Sequence, residues 1–213
     1  MNTPAASKLN WILPTALHRG LETMVTAWAR KRAAKQLSRQ SRLHLACGGN
    51  LLVGWANVDI DGASEVIKLD LTRSLPVASD SIDFVFCEHF IEHISAGDAQ
   101  KLLREIQRCL RPGGVMRLST PDLAVLVDHY RDQRLDTWRD VGWTPETPCR
   151  LLNEGMHSWG HQFVYDQREL ETLFGSVGFS SIRRVRWRQS DHRELSGLEC
   201  RPDHSELIYE ATR

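Results

Sequence analysis

A glycine turn followed by a carboxylate-bearing run stands in the first third of the chain. Leu43-His44-Leu45-Ala46-Cys47-Gly48-Gly49-Asn50 is followed by Asn57-Val58-Asp59-Ile60-Asp61. Small residues at 46, 48 and 49 let a ligand approach the backbone. A carboxylate closing the next strand can accept two hydrogen bonds from a ribose diol. Asp59 is the first candidate for that role. Asp61, two residues on and on the same side of an extended strand, is the second. The combination suggests a nucleoside-containing ligand lying across the carboxyl edge of a parallel sheet. Glu88-His89 follows a later apolar run and reaches the same edge. A carboxylate there can meet a cationic ligand or the substrate. A histidine, with an unperturbed pKa near ~6.5, can accept a proton. The run from Met156 to Asp166 adds His157 and His161, and His129 lies further upstream. His161 is the first choice for a general base, followed by His157 and His89. Their alternative use is to order the segment that carries them.

Further motifs decide which ligand. Lys68-Leu69-Asp70-Leu71 comes next, then Leu75-Pro76, Ser81 to His93, and Cys109-Leu110-Arg111-Pro112-Gly113-Gly114. In this order and spacing they resemble the class I S-adenosylmethionine-dependent methyltransferases. Gly54-Trp55-Ala56-Asn57-Val58-Asp59 narrows the resemblance to a small bacterial type associated with surface-polysaccharide synthesis. It covers residues 42–122 closely and 155–212 more loosely. The resemblance implies S-adenosyl-L-methionine as cofactor and methyl transfer to a small molecule or glycan, as an O-methylation. It also implies residue roles. Ala46, Cys47, Gly48 and Gly49 would hold the amino-acid end of the donor and Asp59 its ribose. Asp70 would meet the adenine amino group with Leu71 beside the ring, and Glu88 the cationic end or the acceptor. Two positions depart from the family pattern. Ala46 stands where it has glycine, and His44 where an acid is frequent. They keep a second reading in view: a binding or scaffold protein that retains the fold without the chemistry. A dinucleotide site fits poorly. Its G-x-G-x-x-G would need glycines where this chain has Ala46 and Leu51, and Asp59 comes too early for the ~20-residue spacing.

The 213 residues suffice for one domain with a sizeable core. Net charge is zero but uneven: residues 1–42 carry eight Lys/Arg against Glu22 alone, leaving 19 basic and 26 acidic residues in the remainder. An acidic body without a recognisable motif argues against nucleic acid as a partner. Five scattered cysteines without a CxxC pair point to a reducing cytoplasm and give no metal signature.

These residues require a scaffold that brings strand ends to one edge. Residues 42–46, a run near Ala56, 65–69, 82–87 and Val115–Ser119 read as strands. Only a short or irregular link fits between the first two. Asp98–Leu110 and the stretch from Asp166 to Val177 read as helices. Residues 180–188 and 205–212 read as a final antiparallel pair. The expected architecture is a doubly wound, mostly parallel α/β sheet, Rossmann-like, over residues 42–213. Residues 123–165 form an insertion that serves as a lid over the substrate. Residues 1–41 form a basic tail and a helix from Thr15 to about Arg39. That helix is expected to pack on the domain, with a membrane surface or anionic partner as its alternative use. Trp138, Trp143 and Trp159 would stack on a flat substrate face or enter the core. Arg184, Arg186 and Arg188 would share one strand face, as phosphate contacts or as charges guarding an edge strand.

Overall fold

The computed structural model describes residues 27–202 and 206–213. The first part of the expected basic helix, and residues 1–26 as a whole, lie outside this description. A helix α1 occupies residues 27–37. It packs through Ala33 and Leu37, both buried in the main core, while the Arg30 guanidinium donates to the carbonyl and hydroxyl of Ser74. None of the described helices is long and apolar enough to cross a membrane.

Strands β1 (Arg42–Leu45), β2 (Ala56–Asp59), β3 (Ile67–Lys68), β4 (Ile82–Glu88), β5 (Leu110–Thr120), β6 (Ser181–Arg184) and β7 (Leu207–Thr212) form a sheet ordered β3-β2-β1-β4-β5-β7-β6. The first five are parallel, and β7 pairs antiparallel with β5 and β6. This is the expected mixed sheet with an antiparallel C-terminal pair. The order reverses between β1 and β4. That switch point opens a crevice at the carboxyl edge, where such sheets bind ligands.

The link from β1 to β2 contains no helix, as its length requires. Asn57 holds it in place of one. Its side-chain oxygen accepts from Leu52 N–H, and its amide donates to the carbonyls of Leu52 and Trp55. The same oxygen faces His44 Nδ1 at 3.0 Å across the strand pair, so Nδ1 carries the proton. His44 is buried, and burial lowers its pKa.

Helix α2 (Ala96–Cys109) is capped by Ser95 and buries Ala99, Leu102, Leu103 and Ile106 on one stripe. It packs on α5 (Gln167–Val177), capped by Asp166 and closed by Gly178 in the left-handed region. Strand β5 begins at Leu110, directly after α2. Pro112-Gly113-Gly114 is therefore an irregularity within the strand's pairing with β4, and not a turn ahead of it.

The C-terminal region departs most from expectation. Strand β6 ends at Arg184, so Arg186 and Arg188 are not on a strand. The reason is a polar row across one sheet face. Register aligns Asn57, His44, Phe86, Arg117, Glu210 and Arg183. Arg117 is completely buried and pairs with Glu210 and Glu199. It also donates to the carbonyls of Arg186 and Gln189. These contacts draw residues 185–201 across the face, where a helix would otherwise lie. His192 packs on Phe84, with ring centroids 5.7 Å apart.

Candidate functional site

The glycine turn follows β1 at the switch point. Ala46 and Gly48 both adopt φ near +52°, and side chains built at Gly48 or Gly49 would project into open space. The turn is thus a shallow cradle with bare backbone. Cys47 is buried and its N–H donates to the Val58 carbonyl, which fixes the turn on β2. Asp59 closes β2 beside it. One carboxylate oxygen accepts from Gly48 N–H at 2.8 Å and the other from Ile60 N–H at 2.6 Å. Each oxygen keeps lone-pair capacity toward the crevice. The strands therefore bring Ala46, Cys47, Gly48, Gly49 and Asp59 together. Asp61 is exposed and turned to Lys68, whose ammonium holds its carboxyl below the usual range.

Asp70 and Leu71 stand less open. One Asp70 oxygen accepts from Thr72 N–H and hydroxyl, the other from Arg73 Nε, and these bonds lower its pKa. Leu71 is buried in the main core. Glu88 is also committed. It is buried at the end of β4, and its carboxylate accepts from the N–H groups of Cys200 and Arg201. Its visible work is to seat the end of the 185–201 loop, which brings Arg201 to the sheet edge.

Beyond the ends of β4 and β5 lies a cavity of about 410 Å³, lined by His89, His93, Pro121, Trp143, Trp159 and His161 among others. Its roof is the 123–165 insertion. Helices α3 (Leu123–Arg131) and α4 (Pro148–His157) pack around Leu126, Trp138 and Leu151, a small core separate from the main one. Gly155 permits the close approach: a side-chain carbon there would lie 2.8 Å from Leu126 Cδ1. Trp138 is thus a core residue, while Trp143 and Trp159 reach the cavity. His129 is buried, bonded to the Val125 carbonyl and packed on Trp138, and so is removed from candidacy as a base. His157 is exposed at the end of α4 and does not line the cavity.

His161 lines the cavity. Its Nδ1 lies 2.8 Å from the Gly155 carbonyl and must donate to it, which leaves Nε2 unprotonated in the neutral ring. His89 sits at the end of β4 with φ +51°, and Trp159 has φ +56°. Bulky residues rarely adopt this region, and such strain gathers at functional sites.

Glu92 was not a site candidate from sequence, where Glu92-His93 reads as helix-surface or helix-terminal residues that hold the sheet edge together. The structure rules out the surface position and keeps the edge-holding role. Glu92 is fully buried in a 3₁₀ turn (Ile91–His93), accepts from Thr120 Oγ1 at 3.0 Å and lies 3.1 Å from His89 Nδ1. Its own carbonyl accepts from Gln162 and Phe163 N–H, tying the lid's return segment to this turn. The one-turn spacing of His89, Glu92 and His93 was the available signal. Glu92, His93 and His161 also place their ligand atoms within 4.8 Å of one another. The expectation of no metal-ligand set rests on cysteine spacing and does not reach this cluster.

A family model described as a methyltransferase domain matches residues 26–183. The chain belongs to that family. This methyltransferase resembles, over its whole fold, a SAM-dependent methyltransferase from Archaeoglobus fulgidus, at 16% identity and TM-score 0.50, covering 90% of this chain and 94% of that one. It also resembles a provisionally assigned O-methyltransferase from Nostoc punctiforme PCC 73102, at 13% identity and TM-score 0.50. That match covers 92% of this chain, which spans 58% of the Nostoc protein. No curated protein matches the sequence significantly.

Proposed function

We propose that this methyltransferase uses S-adenosyl-L-methionine to methylate a hydroxyl of a small molecule or glycan, in the manner of the polysaccharide-associated type its motifs resemble. The observation that carries the reading is the adjacency of two sites at one sheet edge. The glycine turn with Asp59 receives the donor, and the cavity under the lid receives the acceptor. The donor supplies an electrophilic methyl group on a sulfonium. The chain's own residues do the rest. Gly48 and Gly49 leave the backbone of the turn open to a ligand's close approach. Asp59 offers acceptors to the ribose hydroxyls. Trp143 and Trp159 present apolar ring surface on which a sugar face can stack. Displacement at carbon needs nucleophile, methyl and leaving sulfur in line, so the lid contributes mainly by orientation.

An alcohol must lose its proton, and His89 is the residue we assign to accept it. It stands at the end of β4 inside the cavity, with the Glu92 carboxylate beside Nδ1 orienting the ring. The five free cysteines accord with a reducing, cytoplasmic setting.

Calorimetric titration with S-adenosylhomocysteine and with NAD tests the donor assignment: the first should bind and the second should not. NAD binding without the first would overturn it. With an acceptor in hand, His89→Ala should lower turnover about 10²–10⁴-fold at unchanged donor affinity. Wild-type turnover would remove His89 from the chemistry.

A further inference from the structure

The turn after β4 and the end of the lid meet at three side chains. Glu92 is wholly buried, and among the described residues its Oε1 is served only by His89 Nδ1, 3.1 Å away and outside good hydrogen-bond geometry. A buried carboxylate oxygen so weakly compensated is costly and can take a further partner. His93 Nε2 lies 3.9 Å from the same oxygen. The two remaining rings are held from behind. His161 donates its Nδ1 proton to the Gly155 carbonyl, and His93 hydrogen-bonds the Trp159 backbone with Nδ1 on the side of Gly160. The His93 and His161 rings meet edge to face at 4.9 Å. Each neutral ring thus keeps an unprotonated Nε2, and ligand atoms of both rings lie within 4.8 Å of the Glu92 carboxylate. Metal-binding histidines are oriented in this way, by a backbone carbonyl on the far nitrogen.

We propose that Glu92, His93 and His161 bind one divalent first-row transition-metal ion, with its open coordination positions facing the cavity. Ligands about 2.1 Å from a tetrahedral ion lie roughly 3.4 Å apart. The cluster, no wider than 4.8 Å, closes on an ion with side-chain shifts of about an ångström. Two imidazoles and one carboxylate suit zinc, iron, cobalt or nickel, whereas magnesium and calcium prefer all-oxygen sets. Resting on the methyltransferase reading above, the ion's role is to bind the acceptor hydroxyl and lower its pKa, while His89 takes the proton. His161 is then a ligand and not the base.

The test uses the full chain, stripped with chelator and titrated with Co²⁺. Equilibrium dialysis and visible absorption give stoichiometry and coordination, and S-adenosylhomocysteine calorimetry on the same samples reports the donor site. One equivalent of Co²⁺ with a ligand-field band is expected. Its affinity should fall at least tenfold in His93→Ala, His161→Gln and Glu92→Gln, and hold in His157→Ala. Absence of saturable binding overturns the site. So does wild-type binding in the two histidine variants with their melting temperatures and donor binding intact. His161 lies at the cavity rim, so its variant reports even where Glu92→Gln fails to fold. Donor binding without Co²⁺ uptake sinks the metal site alone. Co²⁺ uptake without donor binding sinks the methyl-transfer reading alone.

Discussion

The two halves of the carboxyl edge are built in opposite ways. The donor half is local: the glycine turn and Asp59 lie within one strand–link–strand unit, joined by main-chain bonds and one carboxylate. The acceptor half is assembled from afar. His89 and Glu92 come from the end of β4, His161 from the lid, and Arg201 from a loop held by Arg117 across the sheet. Short-range geometry therefore specifies the proposed donor site, and buried polar contacts of long sequence separation specify the proposed acceptor site.

The largest expected effect tests the second half of that contrast. Arg117→Met leaves Glu199 buried without its cation and Glu210 with only the half-exposed Arg183. It should cost about 3–5 kcal/mol in urea unfolding. A cost below 1 kcal/mol would mean that the loop holds without this cluster.

Asp59→Ala tests the donor half. Loss of hydrogen bonds to a charged group should weaken S-adenosylhomocysteine binding by roughly 1.5–3 kcal/mol, with the melting temperature little changed. Unchanged affinity in the folded variant would move the role to Asp61 or remove the site.

A smaller effect lies beneath the acceptor half. Glu206 accepts from Asp122 N–H, and burial pushes its carboxyl up to about 7. The folded state then holds this proton more tightly than the unfolded chain, whose carboxyl titrates near ~4.3. Stability should fall as pH rises between those values. Glu206→Gln should remove that slope, on the order of 1 kcal/mol per pH unit. Parallel stability–pH curves for the two proteins would refute the assignment.

The smallest effect returns to the glycine turn. Ala46 adopts φ +52°, which costs an L-residue free energy that glycine avoids. Ala46→Gly should raise stability by about 0.5–1 kcal/mol after the extra freedom of the unfolded chain is counted. A loss of stability would show that the Ala46 methyl group packs usefully.

The same contrast explains what the sequence disclosed. The mixed sheet with its antiparallel C-terminal pair was legible because most of its strands are written in contiguous residues as short apolar runs. The segment between β5 and α5 was expected as an insertion, and its role as a lid belongs to the proposed function. Its interior was not legible, since nothing local separates Trp138 in a core from Trp159 on a rim. The Arg117 cluster was hidden for a related reason. A charged residue inside Val115–Ser119 reads as strand, and its partners lie 82 and 93 positions away. Strand β6 was extended to residue 188 for want of that knowledge. Glu92 was misread because helical spacing gives no sign of burial.

The lid closes on itself. Leu123 N–H donates to the Tyr165 carbonyl at 2.8 Å, so the insertion leaves and rejoins the sheet at nearly one point. Inside that junction it carries its own core. Such an element can be lengthened, shortened or replaced in a lineage without moving the β1–β2 turn. Under the proposed function, acceptor preference is then free to drift while the glycine turn stays fixed. An engineer seeking a new acceptor has a natural graft boundary at 123 and 165.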